Sequence, residues 1–215
     1  MMITAHDASK RAHEICSLAP IVPVLVVDDA AHARPLAEAL VAGGLPALEV
    51  TLRTPAALDV IAAMAQVPGG VVGAGTLITP DDVRAAKAAG AQFGVSPGAT
   101  DALIAACEAE GLPLLPGAAT ATEAMALLAR GYDMLKFFPA EASGGAPALK
   151  AIGAPLPQIR FCPTGGVSPD NAESYLSLSN VVCAGGSWVA PKDMVQQGDW
   201  SGIETLARAA AALPR

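Results

Sequence analysis

Histidine is scarce in this chain and poorly placed for catalysis: His6, His13 and His32 all fall within the first 32 of 215 residues. Metal or triad chemistry would want imidazoles near glycine-rich loops, so any catalysis has to run without them. Cysteine is sparse too. Cys16, Cys107, Cys162 and Cys183 form no CxxC pair, which speaks against a zinc site or a disulfide framework and for buried free thiols in a reducing cytoplasm. Positive charge is short: 13 Lys and Arg against 20 Asp and Glu leave a net charge of −7. That argues against a nucleic-acid or anionic-membrane surface. Any anion site must be built locally, from backbone amides and a few arginines. No uninterrupted apolar run reaches the length of a membrane span. Residues 1–10 lack the basic-then-apolar order of a secretory signal.

What is present is a globular composition, 53% hydrophobic with 15% charged residues, in a length that suits one domain over 1–215. Short β-branched runs alternate with alanine-rich stretches from end to end. Strands are predicted near 21–27, 46–52, 71–75, 91–95, 112–115, 133–138, 159–163 and 180–185. Helices are predicted near 30–43, 55–66, 80–89, 101–110, 121–130, 145–152, 169–177 and 199–212, with an extra one at 5–17 before the first strand. Thr54-Pro55, Thr79-Pro80 and Ser168-Pro169 read as N-caps followed by proline at the first helical position. Thr120 with Glu123 reads as a capping box. Eight strand–helix units in strict alternation point to parallel strands and a single α/β (β/α)₈ barrel with an extra N-terminal helix. An open doubly wound sheet would want a GxGxxG turn after the first strand, and Val26-Val27-Asp28-Asp29 offers none.

Lys136 stands alone in the apolar run Met134-Leu135-Lys136-Phe137-Phe138. Burial penalises an ammonium and frees the amine to attack a carbonyl, which makes Lys136 a candidate Schiff-base nucleophile. A snorkelling lysine or a core ion pair is the plainer alternative. In Leu48-Glu49-Val50-Thr51-Leu52-Arg53, alternation puts Glu49, Thr51 and Arg53 on one face and the aliphatic residues on the other. The polar face must point into the barrel, where Glu49 either shuttles protons for Lys136 or is its structural partner. Arg53, at the mouth, suits a keto-acid carboxylate.

The last two strands end in Thr164-Gly165-Gly166 and Gly185-Gly186-Ser187. Such loops after strands seven and eight of a barrel often bind phosphate through backbone N–H groups, although Gly-Gly pairs are also common in ordinary turns. After the third strand, Gly73-Ala74-Gly75-Thr76 is either a tight corner or a source of one hydroxyl, Thr76, for the carboxylate.

Taken in order, LEVTLRT (48–54), VGAGT (72–76), SPG (96–98), LKFFPAE (135–141), SGG (143–145), RFCPTGG (160–166) and GGSW (185–188) closely resemble the class I aldolase family. Its substrates are 2-keto-3-deoxy-6-phosphogluconate (KDPG) and 4-hydroxy-2-oxoglutarate. The resemblance runs over roughly residues 20–190. It implies a cytoplasmic, homotrimeric (β/α)₈ barrel of the Entner–Doudoroff pathway that splits KDPG into pyruvate and glyceraldehyde 3-phosphate with neither metal nor cofactor. It further implies Lys136 as the Schiff-base lysine, Glu49 as acid and base, Arg53 and Thr76 on the substrate carboxylate, and Pro97, Phe138 and Thr164 lining the pocket. Gly165, Gly166, Gly186 and Ser187 would bind phosphate. The chain departs from the family pattern at Gly117-Ala118-Ala119-Thr120, where a more polar turn is usual. Sister substrates, 4-hydroxy-2-oxoglutarate or the galactonate epimer, are the nearest alternatives, followed by a sugar-phosphate isomerase or synthase. A non-catalytic sugar-phosphate-binding barrel is the alternative from another class, and a sensor has no need of a desolvated lysine.

Overall fold

A computed structural model describes residues 2–215. Helix α1 (Ala5–Cys16) comes first, then β1 (Ile21–Leu25), α2 (Ala33–Ala42), β2 (Ala47–Thr51), α3 (Ala57–Met64), β3 (Val71–Gly75) and α4 (Pro80–Ala88). The middle of the chain forms β4 (Phe93–Val95), α5 (Asp101–Glu110), β5 (Leu114–Leu115), β6 (Gly117–Ala118), α6 (Ala121–Arg130) and β7 (Met134–Phe137). It ends with α7 (Gly145–Gly153), β8 (Arg160–Pro163), α8 (Ala172–Leu176), β9 (Ala184–Gly186), α9 (Lys192–Gln197) and α10 (Trp200–Ala211).

All strand pairs are parallel. One sheet runs β5-β4-β3-β2-β1-β9 and a second runs β6-β7-β8. Bridges Phe161↔Val181 and Thr164↔Gly185 join β8 and the residue after it to β9 and the segment leading into it. The other seam is Pro116, which separates β5 from β6. Proline has no N–H to give to the ladder, yet its carbonyl accepts from the Lys136 N–H at 2.9 Å. With β5 and β6 counted as one broken strand, eight positions close a curled barrel. Among the described residues no helix is long and apolar enough to cross a membrane.

Alternation sorts the side chains into two cores. Leu48, Val50, Leu135 and Phe137 face the helices. Val22, Ala47, Phe93, Val95, Leu115 and Met134 fill the barrel interior together with Ala12, Ile15 and Cys16 of α1. Helix α1 therefore plugs the barrel at its N-terminal end. Its buried Ser9 accepts hydrogen bonds from the N–H groups of Asp133 and Met134, both at 2.9 Å, and donates to the Asp133 carboxylate at 2.6 Å. That clamp fixes the start of β7, the strand that carries Lys136.

Two predicted caps differ from the structure. Thr79 and Thr120 form capping boxes, with Asp82 and Glu123. Thr54 instead donates to the Val27 carbonyl at 2.7 Å, so α3 starts later, at Ala57. The Ser168 N–H donates to the Asn171 side chain, and α8 begins only at Ala172. The last strand lies at 184–186 rather than 180–185, and α9 was not foreseen.

Candidate active site

Strands β2 and β7 bring Glu49 and Lys136 together in the interior. Lys136 Nζ donates to Glu49 Oε1 at 3.3 Å, and the two residues are only 5% and 3% exposed. Gly75, paired with Thr51 across β2 and β3, makes room for this pair. A Cβ at Gly75 would collide with the Glu49 carboxylate. The Phe138 ring lies 5.1 Å from Lys136 Nζ, a further site of attraction for the ammonium. Burial raises the pKa of Glu49 above its ordinary value, and the Lys136 ammonium only partly offsets this. A carboxyl poised in this way can take a proton from the neighbouring amine and return it.

Above the pair opens a cavity of about 320 Å³ at the C-terminal ends of the strands. Arg53 lines it from the turn after β2. Among the described residues, no hydrogen bond or ion pair engages its guanidinium, so the fork is free for a carboxylate. Thr76 lines it with φ of 63°. A β-branched residue in the left-handed region is strained by about 1–3 kcal/mol, and such strain collects at functional sites. Pro97 and Phe138 form apolar wall, and Thr164, 6% exposed, contributes a hydroxyl near the floor.

Opposite Arg53 lies the loop after β8. Gly165 and Gly166 adopt φ of 100° and 80°. Among the described residues nothing accepts from the N–H groups of Gly166 or Val167. Consecutive free N–H groups at a cavity wall make an anion-binding nest. The loop is held from behind: the Gly165 carbonyl accepts from the Glu141 N–H at 3.0 Å, while the Glu141 carboxylate accepts from Tyr175.

Of the residues singled out in the sequence, Glu49, Arg53, Thr76, Pro97, Lys136, Phe138, Thr164, Gly165, Gly166 and Ser187 all line one cavity. Gly186 does not. Its Cα packs under the Trp188 ring, which a Cβ would strike, and its neighbours Gly185 and Ser187 line the cavity instead. Val24, Thr51 and Val167 line it as well and were missed as site residues. Thr51 was legible as inward-facing; Val24, the register partner of Glu49, is one more valine in an aliphatic strand. The histidines line no part of it.

Residues 12–206 match the aldolase family described as KDPG and KHG aldolase. The chain is 54% identical over 202 residues to the 2-dehydro-3-deoxy-phosphogluconate aldolase of Pseudoalteromonas atlantica, covering 94% of each chain. Its fold is similar to that of the 2-keto-3-deoxy-6-phosphogluconate aldolase of Zymomonas mobilis solved with 3-phosphoglycerate. There the TM-score is 0.91 at 48% identity, with 96% of this chain and 98% of that one covered. A KDPG aldolase from Legionella pneumophila, with pyruvate captured as a covalent carbinolamine, gives a TM-score of 0.90 at 45% identity, covering 93% and 98%.

Proposed function

Because the chain belongs to the KDPG and KHG aldolase family, we propose that it cleaves KDPG to pyruvate and glyceraldehyde 3-phosphate through a Schiff base on Lys136. The observation that carries this reading is the buried Lys136–Glu49 contact at 3.3 Å beneath a cavity with a free arginine on one side and a nest of free N–H groups on the other. Glu49 takes a proton from Lys136, and the amine attacks the C2 ketone. The carbinolamine loses water with Glu49 as acid, leaving a protonated imine. The Glu49 carboxylate left by that step takes the C4 hydroxyl proton as the C3–C4 bond breaks. Its electron pair runs into the imine, which becomes the enamine of pyruvate, and the aldehyde departs. Protonation at C3 and hydrolysis release pyruvate and restore Lys136.

Arg53 holds the substrate carboxylate with the Thr76 hydroxyl beside it, and Gly165, Gly166 and Ser187 hold the phosphate. The phosphate nest favours KDPG over the unphosphorylated 4-hydroxy-2-oxoglutarate. The two-ended model is tested with both substrates. Arg53→Lys should weaken both by about 1.5–3 kcal/mol, the range for a charged hydrogen-bonded contact. Gly166→Ala, whose Cβ would press on Glu141 and distort the nest, should penalise KDPG far more than 4-hydroxy-2-oxoglutarate. Equal penalties in both variants would contradict the model.

The same reading takes the enzyme as a cytoplasmic homotrimer. Four unpaired buried cysteines suit a reducing compartment. The exposed Val26, Leu58 and Ile78, on three consecutive strand–helix units, offer apolar surface for a second copy. Light scattering should report three chains per particle.

A further inference from the structure

The four cysteines are dispersed in sequence, but three converge in space. Cys16 ends α1, Cys162 lies in β8, and Cys183 directly precedes β9. Their sulfur atoms all lie within 4.8 Å of one another. The residues are 3%, 2% and 0% exposed, beneath the Lys136–Glu49 pair: Cys162 is the register partner of Lys136, and its Sγ sits 3.8 Å from Thr164 Oγ1. The proposed aldol chemistry uses none of the three.

We propose that Cys16, Cys162 and Cys183 form a three-coordinate site for a thiophilic trivalent centre of the arsenite class, and that filling it stops turnover from below. Coordination number and charge decide the class of ligand. Metal–thiolate bonds of about 2.3 Å place three sulfurs about 3.5–4 Å apart, so the observed cluster has to contract only slightly. Its apolar neighbours are Ala12, Ile15, Val22 and Met134. The charged groups that face it, Lys136 and Glu49, lie above it and are paired with each other, and the one nearby oxygen donor, the Thr164 hydroxyl, stands 3.8 Å from Cys162 Sγ. Zinc prefers a fourth ligand and would leave three thiolates with a net charge of −1; a monovalent soft ion would leave −2. Both are costly in an apolar interior. Arsenic(III) leaves none. Arsenous acid exchanges three As–O bonds for three As–S bonds, each thiol proton leaving with a hydroxide as water, and no electrons change hands. Helix α1 closes this end of the barrel, so access follows its opening and inactivation is time-dependent. Drawing Cys162 toward arsenic takes its sulfur from Thr164 and shifts the strand beside Lys136.

The test uses sodium arsenite on the intact enzyme. Arsenic-edge X-ray absorption should show one arsenic per chain with three sulfur neighbours at about 2.3 Å. This arm does not depend on the assigned reaction, so it distinguishes failure of the site from failure of the aldolase reading. Pyruvate-forming turnover should fall progressively and return with dithiothreitol. Cys16→Ala should keep its basal turnover, which also certifies its fold, yet need at least tenfold more arsenite for half-inactivation; Cys183→Ala should do the same. Fewer than three sulfur neighbours, no retained arsenic, or unchanged sensitivity in a folded Cys16→Ala enzyme would overturn the proposal.

Discussion

At the residue scale the chemistry turns on Glu49. If it is the proton shuttle, Glu49→Gln should fold, trap pyruvate slowly and exchange the methyl protons of pyruvate with solvent about 10²–10⁴-fold more slowly. If it only neutralises Lys136, its loss strands a buried ammonium and costs roughly 3–5 kcal/mol of stability, with exchange per folded molecule unchanged. Its titration gives a second handle. Burial raises the folded pKa above the ordinary 4.5, so the folded protein binds this proton to higher pH than the unfolded chain does. The contribution of Glu49 is therefore full below 4.5 and is lost as pH rises through its folded pKa. Denaturant titrations should show wild type losing stability relative to Glu49→Gln as pH climbs from acid toward neutral, whereas parallel curves would contradict the burial. Thr76 makes the complementary case. Relief of its positive φ by Thr76→Gly is worth about 1–3 kcal/mol, against roughly 0.5–1 for glycine's added freedom. That variant should melt no lower than wild type while binding pyruvate more weakly. A lower melting point would mean the side chain is structural.

At the scale of elements, the sequence was most legible where one local rule acted alone. Alternation in 48–53 put Glu49 and Thr51 inside because the strand is flanked by aliphatics that belong under helices. Thr79 and Thr120 capped as read, since each has a carboxylate three residues on to close the box. Thr54 did not, because the Val27 carbonyl takes its hydroxyl; at Ser168 only the return half of a box forms, the Asn171 side chain accepting from the Ser168 N–H. Helix α9 is a six-residue segment between Pro191 and Gly198, too short to show a period. The Ser9 clamp on β7 spans 124 residues and leaves no trace in the pattern of either segment. Ser9→Ala should strand the Asp133 and Met134 N–H groups and lower stability by about 1–3 kcal/mol. An unchanged melting temperature would show that α1 does not hold the strand of Lys136.

The whole molecule is a barrel whose closure runs through its two least regular places. The fifth strand breaks at Pro116, and β8 meets β9 only through isolated bridges. Neither seam could be seen in the chain, because pairing between strands remote in sequence is not written in the pattern of either. The eightfold alternation was enough for the architecture, and the architecture placed the chemistry at the strand C-termini. The cluster of three thiols shows the converse, since only closure brings residues 16, 162 and 183 together. The central claim is that this barrel exists to hold one amine in reach of a keto acid. It is tested most directly by reducing the enzyme with borohydride in the presence of pyruvate and mapping the modified peptide. One reduced pyruvyl group per chain is expected, on Lys136, with activity lost in proportion and no label in Lys136→Arg, whose guanidinium stays protonated. Label on Lys87 or Lys150, or full activity after reduction, would contradict it.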